Sequence, residues 1–444
     1  MTDTIYWIWL AECLGPGSRN LHYLLDRYAS PYDVFRAESE ELERLELGDR
    51  VIEALCNKNM TEAYAINDYC VSHNIGILTY ANEYYPAKLR LIPDPPAVLY
   101  FIGELPNTGD FVSIGVVGTR KMSEYGKRSA YKIGYELASA GIVVVSGMAL
   151  GVDAVAACGA ISAGGKTVAV LGCGVDNVYP KEHGKLYENI IKNGAVISEY
   201  PPTTEVRPHH FPCRNRIISG MTNGTLVVEC DKKSGAMITA ERAIEQGKDI
   251  FAIPGNLDNT NSLGTNKLIH DGAQIVLKTE DILKNYEFYY GKTINYLALR
   301  MAKDNSQLDE QALNRMGICQ CELHKKMSEK YDECEEAEII TRRENILRPR
   351  HLPKVKNPEE MPSTMQRKAD EEARTHKSIS AEAELAELSE HEREMFLAMP
   401  DDRAVSVDAM MRLGYGCSDV MGTFAMLEIK GLVSSLPGGL YIKN

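Results

Sequence analysis

No run of the 444-residue chain approaches the ~20 consecutive apolar residues that span a bilayer. No basic leader stands before an apolar segment at the start. A cytoplasmic protein with no membrane partner is expected. Positive charge is also in short supply: 49 Lys and Arg face 62 Asp and Glu, a formal net charge of −13. That excludes a chain that clings to polyanions through its overall field. The 11 cysteines are scattered, without the dense spacing of a secreted disulfide scaffold, so reduced thiols are expected. Cys319, Cys321, His324 and Cys334 lie close together, but their C-x-C start lacks the C-x₂₋₄-C spacing of structural zinc sites. No metal is expected.

What is present is unevenly placed. Residues 1–110 hold 8 basic against 17 acidic side chains, residues 291–444 hold 22 against 27, and residues 111–290 hold 19 against 18. Any anion site is therefore local and central. The densest candidate gathers Arg207, His209, His210, Phe211, Arg214, Asn215 and Arg216 into a single short stretch. Guanidinium forks match phosphate oxygens, and an aromatic face accepts an unstacked base whatever its identity. The competing reading puts Phe211 in the core and leaves the arginines solvated.

The surrounding punctuation favours the first reading. Residues 225–230 read as a buried strand that runs into Ser234-Gly235 and a helix over 236–246, and residues 249–253 supply the next strand. Upstream, the strand-like run 111–117 leads into Gly118-Thr119-Arg120 and then, past Ser123, Tyr125 and Gly126, into a helix. The run 142–145 leads into Ser146-Gly147, the run 167–171 into Gly172 and Gly174, and the run 194–198 into Pro201. This alternation predicts an α/β fold with a parallel sheet. Its turns share one edge, where unpaired first-turn amides and helix dipoles favour an anion. Gly115-x-x-Gly118 does not have the GxGxxG spacing, and no acidic residue closes the second strand, so no dinucleotide cofactor is expected.

Five regions follow from the pattern. Residues 1–75 read as short helices, with a Gly15-Pro16-Gly17 turn like that of a helix-hairpin-helix. The acidic surroundings favour a packing or protein-contact role for it over a phosphate site. Residues 76–110 form a proline-interrupted junction that includes the strand-like run 97–102, and residues 111–290 form the α/β core. Residues 291–384 are a charged linker with partial helix. Residues 385–444 read as three helices and a hairpin, a winged helix; with 5 basic and 9 acidic side chains it suits protein contact better than duplex reading.

The segments FPCRNRIISG, SGAMITAERA and DIFAIPG, together with Gly118-Thr119-Arg120 followed by Ser123, Tyr125 and Gly126, resemble the DNA-processing protein A (DprA/Smf) family. The resemblance implies an extended Rossmann-like core with an N-terminal helical domain of SAM or helix-hairpin-helix type and a C-terminal winged helix. It further implies a cytoplasmic protein that binds single-stranded DNA, protects incoming DNA and helps load a RecA-type recombinase. The matching DNA-binding positions are Gly118, Thr119, Arg120, Ser123, Ser146, Gly147, Arg207, Phe211, Arg214, Asn215, Arg216, Ser234 and Gly235. Two positions depart from the family pattern: Leu150 stands where an arginine is frequent, and Pro208 where a lysine is, with Arg207 as its possible substitute. The family's dimerisation through the core implies an interface at Ile244, Leu268, Ile269 and Ile275, although Leu268 and Ile269 could instead pack beneath the sheet. An enzymatic alternative is a nucleotide phosphoribohydrolase of the lysine-decarboxylase-like Rossmann group. SGAMITAE keeps that group's Thr239 and Glu241 but lacks its glycine run.

Overall fold

In a computed structural model of the chain, the described residues run continuously from 2 to 318, with isolated positions and short strands between 393 and 443. Two compact units are present, Met1–Arg348 and Pro349–Asn444.

The first unit is built on nine strands: β1 (Gly76–Thr79), β2 (Val98–Gly103), β3 (Ser113–Val117), β4 (Val143–Ser146), β5 (Thr167–Leu171), β6 (Gly194–Ser198), β7 (Gly224–Val227), β8 (Asp249–Ala252) and β9 (Gln274–Ile275). Their order in the sheet is β1-β2-β6-β5-β4-β3-β7-β8-β9. From β6 across to β9 every pairing is parallel. The strands β3 to β7 are buried along their whole length. That is why they read as unbroken apolar runs: helices cover both faces. The chain lays β3 to β6 outward in one direction and then returns to set β7 on the other side of β3. The sheet edge between β3 and β7 is therefore a topological switch point.

One face of the sheet is covered by the helices Glu124–Ser139 and Val152–Ser162, over Val116, Val144, Leu171 and Val196. On the other face Ile217 and Ile218 of the His210–Gly220 helix and Ala240 of the Gly235–Glu245 helix join Val117, Val145, Val170 and Ile197. Six short helices precede β1, and their Trp7, Ile8, Leu10, Leu21, Leu24 and Leu55 close a third core against Val98 and Tyr100 of β2.

Two stretches differ from their sequence reading. The proline-rich junction 76–110 contributes not only β2, the strand-like run 97–102, but also β1, and both extend the sheet as antiparallel strands, Tyr100 facing Ser198 of β6. The prolines lie between the strands, where they cost no ladder bond. Residues 291–318, expected to begin a linker, instead pack on the core as the helices Tyr296–Ala302 and Glu310–Arg315, burying Leu299, Leu313, Met316 and Ile318. Buried Glu136 receives hydrogen bonds from the Thr279 hydroxyl (2.5 Å) and the Ser306 hydroxyl (2.9 Å), and Lys127 pairs with Glu310 at 2.6 Å. Charged composition concealed this segment because the apolar residues it buries are few, while Leu297 and Met301 stay exposed. The rest of the expected linker, with Cys319, Cys321, His324 and Cys334, lies outside the described residues.

In the second unit, strands β10 (Val405–Ser406), β11 (Val433–Leu436) and β12 (Leu440–Lys443) form an antiparallel sheet. The expected hairpin is β11–β12, with Leu436 opposite Leu440. The three helices of the winged-helix reading fall almost wholly outside the described residues. Among the described residues no helix is long and apolar enough to cross a membrane.

Candidate nucleic-acid interface

A cavity of about 230 Å³ opens at the switch point. Its walls are the loop after β3 (Gly118, Thr119, Arg120, Lys121), the loop after β7 (Asp231, Lys233, Ser234, Gly235), and Phe211, Arg214 and Asn215 of the His210–Gly220 helix. Parallel strands deliver the two loops side by side, since β3 and β7 are direct neighbours.

The floor is rigid. Arg214 is buried, and its Nη1 donates to the carbonyl oxygens of Gly147 (2.8 Å) and Val170, while its Nε donates to Asn215 Oδ1 at 3.1 Å. A Cβ on residue 147 would stand 2.5 Å from the Arg214 guanidinium, so only glycine leaves room for that side chain to pass. Beneath it lies Asp153, whose carboxylate accepts the Gly147 amide at 2.9 Å. Burial pushes the Asp153 carboxyl above its ordinary range, and the nearby Arg214 charge opposes that rise.

The loop after β3 is held by a residue that the sequence reading did not single out. Glu229, buried just beyond β7, accepts the Thr119 amide on its carbonyl (2.7 Å) and the Ser123 amide on its carboxylate (2.8 Å). Asn261 Nδ2 donates to the Lys121 carbonyl at 2.8 Å. An acidic residue closing the otherwise apolar run TLVVEC was the available signal, because a buried carboxylate needs partners. Four cations thus converge on one opening: Arg120, half-buried; Lys121 and Lys233, exposed; and Arg214 at the floor. Lys121 and Lys233 were also missed, although each sits beside a predicted turn residue.

Residues 76–287 match the family model described as DNA recombination-mediator protein A. Over 287 residues the chain is 34% identical to protein Smf of Synechocystis, a match that covers 64% of this chain and 72% of that protein. Over 210 residues it is 40% identical to DNA processing protein DprA of Bacillus subtilis, covering 47% and 71% respectively. The X-ray structure of DNA processing protein A from Streptococcus pneumoniae is similar with a TM-score of 0.52 and 32% identity, over 63% of this chain and 97% of that one. The chain belongs to the DNA recombination-mediator protein A (DprA/Smf) family.

Within this family member the predicted residues divide into distinct groups. Gly118, Thr119, Arg120, Phe211, Arg214, Asn215, Ser234 and Gly235 meet at the cleft. Ser123, Ser146 and Gly147 do not line it. The Ser123 hydroxyl donates to Glu229 and accepts the Gly126 amide (3.1 Å), which caps the Glu124–Ser139 helix. The buried Ser146 hydroxyl donates to the Asp153 carbonyl at 3.3 Å. These three are supports, because their polar groups are engaged inside the protein.

Arg216 is a clear correction. It is 2% exposed, donates to Glu199 at 2.6 Å and lies 3.6 Å from Asp94, so it is withdrawn from any external phosphate. Burial acts most strongly and would discharge it, but Glu199, Cys213 and Asp94 together outweigh burial and keep it charged. The Gly17 amide also donates to Glu199, at 3.2 Å. The Gly15-Pro16-Gly17 turn therefore docks on the core, the packing role favoured for it. Arg207 is exposed and stands away from the cleft lining.

Phe211 is 8% exposed, with Arg120 and Arg214 5.8 and 5.7 Å from its ring centroid and Tyr179 5.5 Å away. An open stacking platform was expected; the ring is instead a wall that seats two guanidinium groups. Of the four expected interface residues, Leu268 is buried in the core and Ile269 packs partly against it. Ile244 (58%) and Ile275 (43%) are exposed. Leu268 turns inward because neighbouring helical positions diverge by about 100° and the sheet takes one of them. Glu241, the acid of the enzymatic alternative, is exposed and outside the cleft lining.

Proposed function

We infer that this protein binds single-stranded DNA at the switch-point cleft, with backbone phosphates held by Arg120, Lys121 and Lys233 above the Arg214 floor. The carrying observation is the convergence of these four cations in a chain of net charge −13. Of the acidic residues in the lining, Asp153 already accepts the Gly147 amide, and exposed Asp231 sits at the loop after β7. The cleft lies between loops and projects no helix, which suits an isolated strand better than a duplex groove. Membership of the family and similarity to relatives named for DNA processing support the same reading.

The finer role follows from the resemblance: a cytoplasmic binding protein, not an enzyme, that protects incoming DNA and assists loading of a RecA-type recombinase in transformation or recombination. A homodimer through the core face that carries Ile244 and Ile275 belongs to this proposal, as do the five-region division and the winged helix as a protein-contact module. Fluorescence anisotropy with single- and double-stranded oligonucleotides tests the central claim. Three phosphate contacts should lower single-strand affinity on the order of 20-fold between 50 and 200 mM salt. Equal affinity for duplex, or no dependence on salt, would overturn it.

A further inference from the structure

A second and larger cavity, about 910 Å³, lies between the N-terminal helices and the core. One wall is the Gly15-Pro16 turn with Arg50, Glu62 and Tyr69; the other is the run from Tyr200 to Thr204 with Arg207, His209, His210 and Cys213. The two walls are locked together. The Gly17 amide is tied to Glu199, and a Cβ at residue 17 would stand 2.7 Å from the Cys213 sulfur, so the domains meet at van der Waals distance. The groove is thus a built feature of the first unit.

Its core wall carries the features expected of a single-strand path. Arg207 and His209 are exposed, and Arg50 is exposed on the facing wall. The rings of Tyr200 and His210 stack at 4.0 Å with an interplanar angle of 24°, and His209 stands edge-on to His210 at 4.5 Å. This aromatic ladder ends in a solvent-facing imidazole. The groove also adjoins the cleft: His210 lines the groove, and the next residue, Phe211, lines the cleft. His210 Nδ1 is 2.9 Å from the Gly172 carbonyl, and a Cβ on Gly172 would lie 3.3 Å from the Phe211 ring. Both openings are therefore hung on the first turn of one helix. The acids Glu12 and Glu62 belong to the N-terminal helices; the core wall lines the groove with Arg207, rings and uncharged side chains.

We propose that the interdomain groove is a second single-strand subsite, which receives the nucleotides leaving the cleft with their phosphates against Arg207 and Arg50 and a base on His209. This rests on the reading of the cleft, and the test separates the two. Binding is compared for oligothymidylates of about 6 and about 20 nucleotides, the first near the lower end of the site sizes of single-strand binders and the second beyond their upper end. Arg207→Glu combined with Arg50→Glu should weaken the long oligomer at least about tenfold and leave the short one unchanged. His209→Ala should weaken the long oligomer by about fivefold or more through lost stacking. All three residues are exposed, and matching thermal melts check that the variants fold. Equal loss at both lengths, or no loss at either, overturns the groove while Arg120→Ala still reports on the cleft. If Arg120→Ala leaves both lengths untouched while the groove variants still weaken the long oligomer, the cleft reading fails and the groove stands alone.

Discussion

Arg214 and Arg216 sit two positions apart on the same helix, both buried, and face opposite ways. Two residues along a helix turn through about 200°, so a pair that looks like one basic patch in sequence is split between two sides. Arg214 looks into the cleft and is held by the carbonyls of Gly147 and Val170 and the side chain of Asn215, with the buried Asp153 carboxyl close enough to interact with its charge. Arg216 looks toward the N-terminal helices and is matched by Glu199 and Asp94. Arg214 thus meets backbone carbonyls and the Asp153 carboxyl at the cleft, whereas Arg216 meets Glu199 and Asp94 on the side away from it. Arginine content therefore says less about anion binding than the chemistry of the acceptors behind each guanidinium.

The sharpest way to break this comparison is Arg216→Ala. It strands Glu199, whose carboxyl burial already pushes upward against the Arg216 charge, and should cost about 3–5 kcal/mol of stability in denaturant unfolding. The protein that remains folded should bind single-stranded DNA as before; a selective loss of affinity at unchanged stability would return Arg216 to the interface. Arg120→Ala should behave in the opposite way. Stability falls by only about 1 kcal/mol, as for a half-buried side chain, while affinity falls by about 1.5–3 kcal/mol and the logarithmic salt slope flattens by about 0.7. A titration over several salt concentrations reads both quantities; an unchanged slope would remove Arg120 from the phosphate path.

The parallel strands were legible because each is an apolar run that ends in small residues, as in the passage from β3 to Gly118 or from β4 to Gly147. The cleft was legible for the same reason, since turns that follow parallel strands share an edge. The choice between binding residues and their supports was not. Ser123 and Ser146 have the composition of phosphate ligands, but their hydroxyls are engaged inside the protein, Ser123 by Glu229 from a distant strand end and Ser146 by the Asp153 carbonyl across its own turn. Arg216 misled in the same way, because its partner Glu199 comes from the loop after β6 and Asp94 from the junction before the core. β2 was legible as the strand-like run 97–102, whereas the four residues of β1 were not read as a strand. The packing of residues 296–315 was hidden by a buried acceptor, Glu136, on a helix far upstream.

A smaller effect tests whether Phe211 works through the two guanidinium groups it touches. Phe211→Leu keeps an apolar wall but removes the π-face beneath Arg120 and Arg214. Loss of the cation–π contacts should weaken DNA binding by about 0.5–2 kcal/mol without altering the salt slope, and Phe211→Tyr should restore it. If Phe211→Leu unfolds the chain, the ring's role is in packing alone. If Leu binds as well as Phe, the ring does not position the cations.

The smallest effect concerns the acid beneath the floor. Burial raises the folded-state pKa of Asp153 above its ordinary value, with Arg214 opposing the rise. In the window between the ordinary and the raised value the native state binds more protons than the unfolded chain, so stability falls as pH climbs through it. The contribution is fully present below the ordinary carboxylate range and is lost once Asp153 ionises in the folded protein. Asp153→Asn removes this titration while still offering an oxygen to the Gly147 amide, now 2.9 Å from the carboxylate. Unfolding measured across the acidic range should therefore give a flatter stability profile for Asp153→Asn than for the wild type over that window. Arg214→Met should steepen the wild-type fall, because the charge that restrains the Asp153 shift is then gone. Parallel profiles for the wild type and Asp153→Asn would mean that Asp153 titrates at its ordinary value, and that the Arg214 charge offsets the full cost of its burial.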